Sequence, residues 1–168
     1  MYFNNHTHTS SPTSTEIVEI INLFPSKSLE LYKDKFYSIG IHPSHIDNNN
    51  ISDQLKLIET LMQLDNVIAV GEIGLDRNSD VSFNIQKEVF EKQLSIAEKY
   101  NKPVIVHCVK AYSEILHYRK QSTCAWIMHG FRGKDELAEQ LLTIFKLIKY
   151  RKKIILMNFR KKYNLFEF

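Results

Sequence analysis

Short apolar runs and segments of helical period alternate through the middle of this chain. Val67-Ile68-Ala69-Val70 is apolar and stops at Gly71, Val104-Ile105-Val106 follows Pro103, and Ala125-Trp126-Ile127-Met128 precedes His129. Near-continuous apolar runs of this length suit parallel strands buried on both faces. Nearer the start, residues 1–5 read as a short first strand, and residues 17–24 and 36–41 as β-rich runs closed by Pro25 and Pro43. Between the later runs the period changes. Ser52 is placed to cap a helix with Leu55, Ile58, Leu61 and Met62 on one side, and a second helix from about Ser82 to Tyr100 gathers Ile85, Val89, Phe90, Leu94 and Ala97. A third helix is expected over residues 112–120 and a fourth from about Lys134. Strand and helix in this rhythm predict an α/β chain of βαβ units with right-handed crossovers.

Composition adds limits. The 168 residues suffice for one sizeable core and are too few to suggest two full domains. Cys108 and Cys124 are too few for a disulfide framework, and no charged-then-apolar leader precedes the first strand-like run, so a reduced, cytoplasmic setting is expected. Crossing a bilayer takes about 20 apolar residues, and stretches such as Ile154-Ile155-Leu156-Met157 fall far short. The net charge of +3 is unevenly spread. Residues 143–168 carry eight Lys or Arg against Glu167 alone, a local +7 that leaves residues 1–142 at −4. The charge of the body therefore gives no argument for nucleic acid.

Polar residues able to bind metal sit where the apolar runs stop: His6 and His8 after the first, His42 after the third, then Glu72, His107 and His129. Carboxyl ends of parallel strands gather on one face, so these residues are expected to converge. Neutral imidazoles and carboxylates are what a hydrolytic centre uses to hold one or two divalent ions, for which magnesium, manganese and zinc all qualify. His6 and His8 are two apart and point the same way on an extended strand, and Glu72 has two oxygens with which to bridge a pair of ions. His45 and His117 read as ordinary loop or solvated residues. Cys108 reads as a small buried hydrophobe rather than a reactive thiol.

The strings Asn5-His6-Thr7-His8, Gly40-Ile41-His42-Pro43, Gly71-Glu72-Ile73-Gly74-Leu75-Asp76, Pro103-Val104-Ile105-Val106-His107-Cys108 and His129-Gly130-Phe131-Arg132-Gly133 occur in this order. Together they resemble the TatD-like metal-dependent hydrolases, relatives of the amidohydrolase superfamily, over residues 1–142. The resemblance implies a TIM-type (β/α) barrel, incomplete here with about five or six of eight units, a divalent-metal centre, and phosphodiester hydrolysis with DNA as substrate. It implies His6 and His8 as ligands of a first ion, Glu72 as a bridging and catalytic carboxylate, and His107 and His129 as ligands of a second. His42 resembles a substrate-side catalytic histidine, Arg132 a phosphate contact, and Asp76 a residue that supports the ligands or holds its loop. The metal constellation alone does not choose the leaving group, so a small-molecule amide or ester hydrolase of the same superfamily stays open, as does a non-catalytic metal-binding remnant.

Two departures from the family pattern stand out. Asn5 occupies the place where many members have Asp, and residues 143–168 contain no Asp, whereas the resemblance implies a late Asp that binds metal and serves as general base. Weak metal binding and slow DNA hydrolysis are therefore expected of this chain. In that segment 19 of 26 residues are Phe, Tyr, Met, Ile, Asn or Lys, types with A/T-rich codons. The composition suggests an atypical basic tail produced by a frameshift or truncation near residue 142. Such a tail is expected either to pack poorly against the barrel or to form an isolated basic helix.

Overall fold

Six parallel strands form one sheet in the order in which they occur along the chain: β1 (Tyr2–Thr7), β2 (Ile17–Leu23), β3 (Phe36–Ile39), β4 (Val67–Asp76), β5 (Val104–Val109) and β6 (Trp126–Met128). They belong to a computed structural model of the chain that describes residues 2–9, 17–26, 28–130, 147–150 and 153–156. Helix α1 (Ile51–Leu61) joins β3 to β4, α2 (Phe83–Tyr100) joins β4 to β5, and α3 (Tyr112–Gln121) joins β5 to β6. When parallel neighbours follow chain order without reversal, right-handed crossovers place every helix on the same side of the sheet. That is the winding of a (β/α) barrel rather than of a doubly wound sheet, whose strand order turns back on itself. The fold is thus an incomplete TIM-type barrel. The helix expected from Lys134 lies outside the described residues.

Burial separates the two faces of the sheet. The larger apolar cluster joins Val70, Ile73, Leu75, Val104, Val106, Trp126 and Met128 to Ile58, Val89, Phe90 and Ile115 of the helices. A smaller one contains strand residues, Ile20, Ile68, Ala69, Ile105 and Ile127, and marks the inner face away from the helices. Side chains alternate along a strand, so the inner positions of β4 and β5 can be read off: with Ile73 and Leu75 outward, Glu72, Gly74 and Asp76 point inward, and with Val104 and Val106 outward, Ile105 and His107 point inward.

One sequence expectation needs correction. Gly71 does not end β4, which continues through Asp76. Pairing with β5 passes from Val70↔Val104 to Ile73↔Val106, so β4 fits one extra residue into the span of Gly71 and Glu72. This is a β-bulge, a device that re-aims a side chain beside a site. Glu72 therefore sits inside the sheet rather than past its edge, and His107 likewise lies within β5. Neither helix start uses a side-chain cap: α1 begins at Ile51 with Asn50 at its N-cap, and Ser82 precedes α2 without a capping hydrogen bond.

Where it is described, the segment beyond residue 146 forms two strands, β7 (Leu147–Tyr150) and β8 (Lys153–Leu156), which pair antiparallel as a sheet separate from the six-stranded one, with Ile148 opposite Ile155. The isolated helix, one of the two expected outcomes, is not what these residues form. Ile148, Ile154 and Ile155 are β-branched, and such residues favour extended pairing over helix.

Candidate metal centre

Gly74 of β4 lies opposite His107 of β5. A glycine is required there because a Cβ would collide with the backbone carbonyl of His107. With no side chain directly opposite, the His107 ring meets the carboxylates two positions to either side of Gly74. Its Nδ1 lies 3.0 Å from Glu72 Oε1 and its Nε2 lies 3.0 Å from Asp76 Oδ2. Glu72 is 3% exposed and Asp76 9%. The His42 ring packs on His107 with centroids 4.3 Å apart, and its Nδ1 accepts a hydrogen bond from the Ser44 backbone at 3.2 Å. Ligand atoms of His42, Glu72 and His107 all lie within 4.8 Å of one another, the one such group found among the described residues.

The electrostatics of the two histidines diverge. Burial, reinforced by the neighbouring His107, pushes His42 down to about 4, so its imidazole is neutral at ordinary pH. Burial also disfavours a charged His107, but hydrogen bonds to Glu72 and Asp76 outweigh that and raise its pKa. A ligand nitrogen must be free of its proton to bind an ion: His42 meets that condition unaided, and His107 meets it by giving up a proton. The donor set, two imidazoles and a carboxylate, fits a divalent ion such as zinc or manganese. A carboxylate on the second nitrogen of a metal-binding imidazole fixes its tautomer and orientation, and the two carboxylates on the His107 ring leave one for that task. Asp76 does a second thing as well, since its Oδ1 accepts the Asn78 backbone N–H at 2.8 Å and holds the loop after β4.

Two buried glutamines hold this group in place. Gln93 Oε1 accepts the Ile41 N–H at 2.7 Å while its Nε2 donates to the Ile41 carbonyl at 3.1 Å, which clamps the backbone just before His42. Gln86 treats Asp76 the same way, accepting from its N–H at 2.8 Å and donating to its carbonyl at 3.0 Å, with a further bond to the Val81 carbonyl at 2.8 Å. Each is 1% exposed. Sequence reading overlooked both, although they sit seven apart among Val89, Phe90 and Ala97, on the stripe that faces the core. A glutamine at such a position is the signal that was available.

Of the residues expected at the site, Glu72 and His107 are brought together, and His42, expected on the substrate side, joins them. His6 lies in β1 with its side chain outside what is described. His8 and His129 are exposed and are not members of the group of three; the His129 backbone N–H donates to the Val106 carbonyl at 2.9 Å, extending the β5–β6 ladder. Arg132 lies outside the described residues. Cys108 pairs with Leu75 and packs on the helix-facing side, away from His107, and burial pushes its thiol up to about 12.

A family model described as TatD related DNase matches residues 6–155. The chain belongs to this family. The matched span extends past residue 142, where the resemblance was expected to stop. Among TatD-family relatives, the chain is 30% identical over 155 residues to the uncharacterized metal-dependent hydrolase YabD of Bacillus subtilis, covering 89% of this chain and 57% of YabD. It is 32% identical over 115 residues to the 3'-5' ssDNA/RNA exonuclease TatD of Pantoea ananatis, covering 66% of this chain and 44% of that protein. The chain thus spans about half the length of the curated relatives it matches. The crystal structure of YjjV, a TatD homolog from Escherichia coli K12, superposes with a TM-score of 0.69 at 21% identity over 85% of this chain and 65% of YjjV, which shows the shared fold.

Proposed function

We propose that this chain carries the metal-binding part of a nuclease-type hydrolase that cleaves phosphodiester bonds of single-stranded nucleic acid. The observation that carries this reading is the convergence of His42, Glu72 and His107 within 4.8 Å on the inner face of the sheet. Family membership and the exonuclease relative support the choice of bond and substrate. Two ions are part of the proposal, with His6, His8 and His129 completing the set that His42, Glu72 and His107 begin, and with Arg132 contacting a phosphate. A cytoplasmic location accords with Cys108 and Cys124 standing as thiols rather than in a disulfide, and among the described residues no helix is long and apolar enough to cross a membrane.

A divalent ion at such a site supplies Lewis-acid charge that acidifies water and stabilises the anionic transition state of phosphoryl transfer. The chain's own residues do the rest. Glu72, a buried carboxylate beside the two imidazoles, would balance the positive charge, and in this reading it takes the proton of the attacking water. Asp76 holds the His107 ring, while Gln93 and Gln86 fix the backbone on either side of the site, so that the reacting groups are prealigned. The Cys108 thiol takes no part.

The test is cleavage of a labelled single-stranded oligonucleotide with manganese, magnesium or zinc, beside a chromogenic carboxylic ester. Metal-dependent cleavage of the oligonucleotide that is lost with Glu72→Gln supports the proposal. Ester turnover without nucleolysis transfers the site to small-molecule hydrolysis, and metal binding with turnover of neither substrate points to a non-catalytic remnant.

A further inference from the structure

Phe24 is an apolar ring left 39% exposed beside a polar site. A single exposed aromatic needs no special explanation; what distinguishes this one is the series of rings it begins. Phe24 stands edge-on to His45 at 6.1 Å with the planes 89° apart. His45 lies 5.2 Å from His42, and His42 lies 4.3 Å from His107. The rings run without a break from solvent to the candidate metal centre.

Topology explains why they line up. Phe24 is the first residue beyond β2, and His42 and His45 belong to the short 3₁₀ turn that follows β3. The two strands are parallel neighbours, with Leu23 opposite Ile39, and the Gly40 N–H donates to the Leu23 carbonyl at 3.3 Å. The carboxyl end of β2 is thereby tied to the segment that carries His42. His45 is itself exposed, so the perpendicular Phe24 and His45 rings form an open corner with two aromatic walls. A flat, uncharged heterocycle fits that corner by lying on one ring face and meeting the edge of the other. Unpaired nucleobases are recognised in this way, by stacking on aromatic side chains that accept any base because every base has a π-face.

We propose that Phe24 and His45 form a stacking subsite for an unpaired nucleobase next to the phosphodiester presented to His42, Glu72 and His107. The inference rests on the nuclease reading above and adds to it the part of the substrate recognised outside the metal centre. Base stacking in this corner favours single strands over duplex, whose bases already stack on each other. It gives little selectivity among the four bases.

Fluorescence anisotropy in metal-free buffer tests it, with a labelled oligothymidylate of about ten nucleotides and an abasic oligomer with the same sugar-phosphate backbone. The protein is expected to bind the oligothymidylate at least about tenfold more tightly than the abasic strand, and Phe24→Ala to remove that advantage, a loss of about 10- to 100-fold. Phe24→Trp retains tight binding, His45→Ala loses part of it, and abasic binding is unchanged in all three variants. Because Phe24 is exposed, Phe24→Ala leaves the core intact, and the Phe24→Trp result separates stacking from any local disturbance. Equal affinity for the two strands, or an oligothymidylate affinity indifferent to Phe24→Ala, overturns the subsite. If Glu72-dependent cleavage persists in that case, the nuclease reading stands without it. Binding of neither strand likewise overturns the subsite, and the metal-dependent cleavage assay decides the nuclease reading separately.

Discussion

Glu72 and Glu98 are both carboxylates drawn into the fold, and they serve opposite ends of it. Glu98 sits near the carboxyl end of α2, on the side where strands begin. Its Oε1 accepts hydrogen bonds from Ser122 Oγ at 2.5 Å, the Thr123 N–H at 2.9 Å and the Cys124 N–H at 3.2 Å, and its other oxygen accepts from the Thr123 hydroxyl. Ser122 Oγ in turn accepts from the Trp126 indole at 2.9 Å, so the carboxylate steers the loop that feeds β6. Burial alone would raise its pKa, but these donors hold it down at about 2. Glu72 sits nearer the other end of the strands, on a bulge, and faces imidazole rings that converge on it. Glu98 is surrounded by donors that suit a carboxylate and nothing else, whereas the partners of Glu72 suit an ion equally well. In barrels of this type the amino-terminal face serves stability and the carboxyl-terminal face serves chemistry, and the two glutamates divide along that line.

The comparison breaks most visibly at Glu72. Glu72→Gln keeps the size and removes the charge, and it is expected to lower metal-dependent nucleolysis by about 100-fold or more while the melting temperature changes little. A variant that unfolds instead, with activity per folded molecule intact, would make Glu72 a structural residue like Glu98. Next comes the clamp before His42. Gln93→Ala strands the N–H and carbonyl of Ile41 in an apolar setting, which costs about 3 kcal/mol and lowers the melting temperature by roughly 6–12 °C. Gln93→Glu, which keeps an acceptor for the Ile41 N–H, is expected to recover part of that in a thermal melt.

Asp76→Ala is expected to weaken metal binding about tenfold by calorimetry, since it removes a carboxylate that orients His107. The smallest effect belongs to Glu98 and depends on pH. Its folded pKa of about 2 lies below the usual 4.5 of a glutamate, so its contribution is fully present above 4.5 and is lost as pH falls from there toward 2. Glu98→Gln is therefore expected to destabilise the protein at neutral pH and to flatten its acid unfolding curve, with nucleolysis per folded molecule unchanged. An acid profile identical to that of the unaltered chain would show that the Glu98 network contributes nothing.

Much of the fold was readable because its signal is local. Val67–Val70, Val104–Val106 and the run before His129 are apolar on both faces, and only strands buried between helices and a barrel interior need that. The motifs that place Glu72 and His107 were readable for the same reason. What escaped depends on register between strands: the bulge at Gly71 and Glu72, and the placing of Gly74 opposite His107, which brings Glu72 and Asp76 to one ring, leave no mark in a single strand's pattern. Nor does spacing along the chain report the 4.3 Å between the rings of His42, expected on the substrate side, and His107. The glutamine clamps escaped for a different reason. Gln86 and Gln93 were polar residues on an apolar stripe, and reading the stripe by its hydrophobic members alone passes over them. In β7 and β8 the β-branched residues pair antiparallel, and the basic composition of that segment gave no sign of it.

The central claim is that His42, Glu72 and His107 hold a divalent ion. Anomalous diffraction from crystals of this chain soaked in manganese tests it most directly. The account predicts a peak in contact with Glu72 and with both histidine rings, lost from crystals of His107→Ala. A peak at other residues, with the Glu72–His107 hydrogen bond and the His42–His107 ring contact kept as they are without metal, would contradict it.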